Sequence, residues 1–289
     1  MSNTGIIIII IECSIKKRGN MLFLNYKPVI VIGMHRSGTS LFTRILNDSG
    51  VFMGYDMGVN AEAKFFQQIN ISLLKKNKAK WNDPKYINNS TKIKMNYSDF
   101  AREYLGVFKS LYLGNNHIDF LKTYRKYYKL LVDYEWGWKD PRNTYTLDYW
   151  LNIFPEAKVI NIVRNGVDVA ISLFNRNEKN KNNQLYVKDF DNIINCFKLW
   201  EKYVVQSENY LEKKDLNIIT IKFEDLLENK TKTLERTKNF LGKSFSNDID
   251  YIDGSRTKRF NNNYQKYKEL IKYAKTSLVL EKYGYAEIL

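Results

Sequence analysis

An α/β fold, with a parallel sheet covered by helices on both faces, is predicted by three features of this chain. The first is the unbroken β-branched run Val29 to Ile32 between Pro28 and Gly33, the pattern of a strand buried on both sides. The second is the return of a strand-loop-helix order at residues 135–142 and 158–163, each followed by apolar residues at helical spacing. The third is the lack of internal repeats or a separating linker, which assigns these units to one sheet.

Each element has its own reason. After the first strand, Leu41, Ile45 and Leu46 recur at helical spacing, and the helix stops near Ser49 and Gly50. A second helix is expected over 61–76, with Phe65, Ile69, Leu73 and Leu74 on one face. From 77 to 133 strand signals fade, and a Tyr- and Lys-rich pattern such as Tyr104, Leu105, Phe108, Leu111 and Tyr112 predicts a helical insertion. Pro141 then ends a strand and opens a helix through Leu147, Trp150 and Leu151, and Asn165-Gly166 turns the third strand into a helix through Val169, Ile171 and Leu173. Residues 175–183 are uniformly polar and read as a mobile loop, either a plain linker or a lid. A helix over 190–211, a strand over 216–223 and a helix over 230–241 complete the body, and the tail, about 253–285, is basic and then helical.

At 289 residues with 44% hydrophobic content, the chain can bury a substantial core, and a single domain over 27–289 is expected. Residues 1–26 read as a disordered or mis-started leader with Met21 as an alternative start. Its six isoleucines at 6–11 are too few to span a bilayer, and Lys16, Lys17 and Arg18 follow them instead of preceding them, unlike a signal peptide. No transmembrane segment is predicted. Cys13 and Cys196 provide neither a disulfide framework nor metal-ligand spacing, which fits a reducing, cytoplasmic setting and predicts no metal site. The net charge of +15 would suit an anionic partner, but scattered lysines carry most of it, so a solvated surface is the plainer account.

The motif with the most chemistry is Gly33-Met-His-Arg-Ser-Gly-Thr-Ser40. Its glycines have the spacing of the phosphate-binding P-loop, G-x-x-x-x-G-K-[ST], but Thr39 stands where the lysine belongs. Backbone N–H groups at a helix start favour an anion, and Arg36 can add a charge-assisted bond. A loop without the lysine cannot hold a γ-phosphate in the usual way. The strand 158–163 ends in Arg164, where a magnesium-binding aspartate would be expected of a nucleoside triphosphatase. Arg164 and Ser172, eight residues apart, can close on a second phosphate.

Taken together these residues resemble the sulfotransferases that use 3′-phosphoadenosine 5′-phosphosulfate. The 5′-phosphosulfate loop of that family is similar to residues 33–40 here, and its 3′-phosphate motif to Val163-Arg-Asn-Gly-Val-Asp-Val-Ala-Ile-Ser172. Trp138-Lys-Asp-Pro-Arg142 and Phe223-Glu-Asp-Leu226 follow in the family's order. The arginine in the loop looks closest to the bacterial and tyrosylprotein-like branches. The resemblance implies a P-loop-like three-layer fold and a donor site of His35, Arg36, Ser37, Gly38, Thr39, Ser40, Arg164 and Ser172. The late basic stretch 255–260 is loosely similar to a loop over the 3′-phosphate and adds Arg256 and Arg259.

Sulfuryl transfer builds charge on the departing phosphate, which fixed donors stabilise without a metal. Arg36 would serve there, and Lys139 can reach the transferring group or the 5′-phosphate from the next strand, unless it is simply a surface lysine. The acceptor hydroxyl needs a base. The resemblance implies a histidine or a glutamate for this role; His35 lies inside the loop and His117 lacks motif support, so Glu62, at the start of the second helix, is the candidate, with a solvated first-turn carboxylate as its alternative. The expected activity is metal-independent, in-line transfer of a sulfonate to a hydroxyl acceptor, whether a glycan, lipid, peptide or small metabolite, with adenosine 3′,5′-bisphosphate as coproduct and no nucleic-acid partner. A degenerate P-loop kinase or nucleotide hydrolase, and a non-catalytic polyanion binder, are the competing readings.

Overall fold

The run Val29–Ile32 lies at the centre of a parallel sheet and is at most 3% exposed. The computed structural model describes residues 27–54, 57–84, 135–242 and 265–288. The leader, His117 with most of the expected insertion, and the loop carrying Arg256 and Arg259 lie outside the described residues. Strands β1 (Val29–Ile32), β2 (Gly137–Lys139), β3 (Lys158–Val163) and β4 (Ile218–Lys222) pair in the order β2-β1-β3-β4, all parallel.

Helices α1 (Thr39–Asp48) and α2 (Lys64–Lys76) follow β1, and α3 (Asn143–Ile153) follows β2. Helices α4 (Gly166–Lys179) and α5 (Ile193–Leu211) follow β3, and α6 (Phe223–Glu228) and α7 (Lys230–Leu241) follow β4. The C-terminal segment contributes the short helices α8 (Lys268–Ala274) and α9 (Leu278–Lys282).

Successive side chains of a strand face opposite sides, and β1 divides the core accordingly. Ile30 and Ile32 pack with Phe66 of α2 and with Leu147 and Trp150 of α3. Val29 and Val31 pack with Phe42, Ile45 and Leu46 of α1 and with Leu234 and Leu241 of α7. A third cluster joins α4, α5 and α8 around Trp200. Phe66 stacks on Trp138 at 4.1 Å, and Trp138 meets Trp150 edge-on at 4.9 Å. The second helix thus buries Ile69, Leu73 and Leu74 of the expected face together with Phe66, while the side chain of Phe65 lies outside the described residues.

The structure corrects several expected boundaries. Residues 175–179 are the last turn of α4, not a loop. Asn177 is 3% exposed; its amide donates to Val187 O (3.0 Å) and accepts from Val187 N (2.8 Å), so it pins the returning chain. A polar side chain that satisfies backbone groups gives no apolar periodicity, which explains the misreading. The helix expected over 190–211 is broken. A 3₁₀ turn, Lys188–Asp191, precedes α5, whose N-cap Asn192 accepts from Ile194 N (2.9 Å). The second helix starts at Lys64 rather than 61, because Ala61 takes a left-handed conformation (φ 53°) and bonds back to Gly58 O (2.8 Å). The expected strand 216–223 is shorter, Ile218–Lys222, since Phe223 already begins α6.

Among the described residues, no helix is long and apolar enough to cross a membrane. Helix α4 packs tightly on α5: a Cβ on Gly166 would lie 2.4 Å from the buried Trp200 ring. Gly166→Ala should therefore overpack this contact and lower stability by about 1–3 kcal/mol, read as a reduced urea midpoint with an unchanged m-value.

Candidate functional site

All four strands run the same way, so their C-terminal ends share one edge of the sheet, and each strand end delivers part of one cleft. The loop after β1 gives His35, Arg36, Thr39 and Ser40; the end of β2 gives Lys139; the end of β3 gives Arg164; and Phe223 follows β4. Ser172 and Arg176 come from α4, and Asn60 and Glu62 from the segment before α2.

The loop after β1 depends on three residues with positive φ. Gly33 has φ 131°, and a Cβ there would sit 2.4 Å from Ile162 O, so only glycine lets the loop pass this close to β3. Gly38, the N-cap of α1, has φ 91°, and a Cβ would enter the Phe223 ring at 2.1 Å. Between them Arg36 is left-handed with φ 71°, a strained state for a non-glycine that the surroundings must hold. Thr144 Oγ1 accepts from Gly33 N at 3.0 Å and anchors the loop to α3. Helix α1 has neither a side-chain cap at Gly38 nor an acidic residue in its first turn, so its first N–H groups and positive dipole end remain available to an anion.

Arg36 and Arg164, far apart in sequence, are tied together here. Arg36 Nε donates to Ser172 Oγ (2.9 Å), and Arg164 Nη1 donates to Arg36 O (3.3 Å). Arg164 is 4% exposed, pairs with Asp168 (3.1 Å) and lies 4.7 Å above the Phe223 ring. The expected convergence of loop, Arg164 and Ser172 is therefore present. Ser37 and Thr39 are buried and Ser40 Oγ donates to Asn60 O (2.6 Å).

Lys139 is buried, not a surface lysine. Its ammonium donates to Asn60 O, to Glu62 Oε1 (3.3 Å) and to Ser40 Oγ (3.4 Å). Burial pulls its pKa down, and the Glu62 carboxylate opposes that shift. Glu62 is likewise buried, not a solvated first-turn carboxylate. It lies before α2, accepts from Gln67 Nε2 and faces Arg142 at 3.9 Å. Beneath this pair, Asp140 accepts from Arg142 Nη1 (2.9 Å), Arg142 N (3.0 Å) and Asn70 Nδ2 (3.0 Å). Burial raises the Asp140 pKa, and the Arg142 guanidinium works against it. Asn70 also accepts from Thr146 (2.7 Å) and Trp150 (2.9 Å).

Among the cleft residues that the sequence reading missed are Arg44, Arg176 and Phe223. Arg176 lines the cleft four residues after Ser172 on the same face of α4; that spacing was a usable signal. Phe223, which supports both Gly38 and Arg164, had no such signal, because its role exists only across the sheet. Its neighbour Glu224 accepts from Asn165 N (3.0 Å) and from Tyr285 OH (2.6 Å), and so ties down the end of β3.

His35 is half-buried and packs edge-on against Trp81 at 4.6 Å, and its Nε2 has neither solvent contact nor a hydrogen-bond partner. Burial holds its pKa well below the ordinary histidine value, helped by Arg142, Lys139, Arg176 and Arg36. A lowered folded-state pKa means the unfolded chain takes up a proton first. Stability therefore falls as pH drops from about 6.5 toward the folded-state value, by up to ~1.4 kcal/mol per unit. Histidine NMR should show one imidazole that stays neutral across the ordinary titration range, and His35→Gln should flatten this acid slope of stability.

A model of the sulfotransferase family matches residues 28–247. No curated protein matches the chain. Among solved structures it is similar to a sulfotransferase domain from the curacin biosynthetic pathway, at 18% identity and TM-score 0.48, covering 80% of this chain and 79% of that one. It is also similar to a sulfotransferase from Alicyclobacillus acidocaldarius, at 14% identity and TM-score 0.47, covering 86% and 90%. For a sulfotransferase from Mycobacterium avium the values are 14% and 0.43, and this chain covers 76% of itself and 65% of that protein. With the family model spanning the sheet, the loop after β1 and the Arg164–Ser172 segment, the chain belongs to the sulfotransferase family.

Proposed function

We propose that the protein transfers a sulfonate group from 3′-phosphoadenosine 5′-phosphosulfate to a hydroxyl acceptor. The observation that carries this reading is the joining of two anion-binding motifs in one cleft, through the Arg36 to Ser172 bond (2.9 Å) and the Arg164 to Arg36 O bond (3.3 Å). The donor set has suitable chemistry. Among the described residues, Arg36, Arg44, Lys139, Arg164 and Arg176 line the cleft against one lining carboxylate, Glu62, a surplus of positive charge that matches a ligand with anions at both ends.

In this reading the loop from His35 to Ser40 and the start of α1 hold the 5′-phosphosulfate, with Arg36 supplying the charged bond. Arg164 and Ser172 hold the 3′-phosphate, and Arg176 joins them from the next turn of α4. Arg256 and Arg259 are kept as further candidates for that phosphate. When bound, the donor supplies a sulfuryl group whose departure leaves growing negative charge on the 5′-phosphate. Arg36 and the α1 N–H groups are already oriented before that charge develops, so they stabilise it without reorganising. No metal ion has a part in this scheme.

Lys139 and Glu62 act on the acceptor side. Glu62 is anchored by Gln67 and Lys139, and it lines the cleft; there it receives the acceptor's proton as the hydroxyl attacks. Lys139, held by Asn60 O and Glu62, keeps that carboxylate facing the loop. The acceptor is a hydroxyl-bearing glycan, lipid, peptide or small metabolite.

Calorimetry with adenosine 3′,5′-bisphosphate tests the donor site. The parent protein should bind it, and Arg36→Ala and Arg164→Ala should each weaken binding roughly ten- to hundredfold, the range of a hydrogen bond to a charged group; unchanged affinity in both variants would sink the reading. Glu62→Gln should reduce turnover at least about a hundredfold while leaving bisphosphate affinity within about twofold. A variant that turns over at the parent rate would remove Glu62 as the base.

A further inference from the structure

Tyr285 is 3% exposed and sits just beyond α9, far from the cleft in sequence. Its position is built with care. Gly284 is left-handed (φ 70°), Gly284 N donates to Glu281 O (2.7 Å), and Tyr285 N donates to Leu280 O (3.0 Å), the paired bonds of a Schellman cap. At the other end of α9, Ser277 caps the helix and donates to Glu201 of α5 at 2.5 Å. Lys222, the last residue of β4, donates to Tyr283 O (2.7 Å). The C-terminal segment is thus fastened at both ends of α9, and the fastening aims the Tyr285 hydroxyl at Glu224 (2.6 Å).

Glu224 passes this contact on. Its second oxygen accepts from Asn165 N (3.0 Å), the N-cap of α4 and the residue after Arg164. Its neighbour Phe223 lies under the Arg164 guanidinium at 4.7 Å and leaves no room for a Cβ on Gly38. One carboxylate therefore bridges the tail and the strand end that carries Arg164. Without Tyr285 OH, one oxygen of this half-buried carboxylate would lose its donor, and a carboxylate with an unmade bond shifts to find another. The charge of Arg164 already acts on Glu224.

We propose that Tyr285 is a positioning residue for the 3′-phosphate side of the donor site: by holding Glu224 it fixes the β3–α4 turn and keeps the Arg164 guanidinium directed at the cleft. The proposal rests on the donor reading above. Tyr285 touches no reacting atom, and its effect falls mainly on the 3′-phosphate because the bridge reaches the Arg164 strand end directly and the loop after β1 only at one remove, through the Arg164 to Arg36 O bond.

That selectivity separates positioning from bulk stability. Calorimetry would compare adenosine 3′,5′-bisphosphate with adenosine 5′-monophosphate on the parent, Tyr285→Phe and Glu224→Gln proteins. Tyr285→Phe should weaken bisphosphate binding about tenfold, the effect of one hydrogen bond to a charged group, and monophosphate binding less than about twofold. Glu224→Gln should shift the same ratio in the same direction. Equal losses for both nucleotides, or no loss, would overturn the proposal. A parent protein that binds no bisphosphate would instead overturn the donor reading, and this proposal with it. Amide exchange on the unmodified protein needs no variant. Because coupling between two sites is reciprocal, bisphosphate should slow exchange of the Tyr285 amide several-fold and monophosphate should not; equal protection by both, or none, also overturns it.

Discussion

A buried guanidinium holds this site together. Arg164 reaches the P-loop-like turn through Arg36 O, the first turn of α4 through Asp168, and the start of α6 through the face of Phe223, while its own carbonyl accepts from Trp200 Nε1 of α5 at 3.0 Å. Burying a charge is expensive unless it is paired and hydrogen-bonded, so each of those partners is held in place by the cost of losing it. The close contact between Gly166 and Trp200 belongs to the same arrangement, because it sets how near α5 comes to the β3–α4 turn. A neutral side chain at 164 would leave Arg36 without this brace for its left-handed backbone.

On the other side of β1 a second polar system supports Lys139 and Glu62. Asn70, which is fully buried, makes hydrogen bonds with Asp140, Asn143, Thr146 and Trp150. Asn143 in turn accepts from Trp138 Nε1 (3.1 Å) and donates to Val31 O (3.2 Å). The segment 138–143 thus alternates between the aromatic core and the cleft: Trp138 and Asn143 serve the first, Lys139 the second. A fully satisfied buried network of this kind specifies one arrangement, and it sets the Lys139 ammonium at the mouth of the loop after β1. The two systems flank the loop, one through Arg164 and the other through Thr144 and Lys139.

Much of this was legible along the chain. The β-branched runs, the glycine spacing at 33 and 38, the absent lysine at Thr39 and the Arg164–Ser172 pair are local patterns, and local patterns carry turn chemistry and strand burial directly. The misread parts share one cause. Asn177, Asn192 and Ala61 set helix ends through hydrogen bonds and a left-handed turn, and polar residues doing that work look the same as polar residues facing water. Glu62 and Lys139 raised the same ambiguity, and only their burial against each other resolved it. Phe223 and Tyr285 were invisible as site residues because Phe223 meets Gly38 and Arg164 only across the sheet and Tyr285 meets Glu224 from the far end of the chain.

The sequence by itself determined the α/β class, the phosphate-cradling loop and the types of residue available to it, since these follow from side-chain period and from the backbone freedom of glycine. Only the tertiary structure decided that the loop, Arg164, Ser172 and Arg176 share one cleft, and that Lys139 faces Glu62 within it. The physical reason is the parallel order β2-β1-β3-β4. It brings four strand ends to one edge, where the charges must neutralise one another or await an anion.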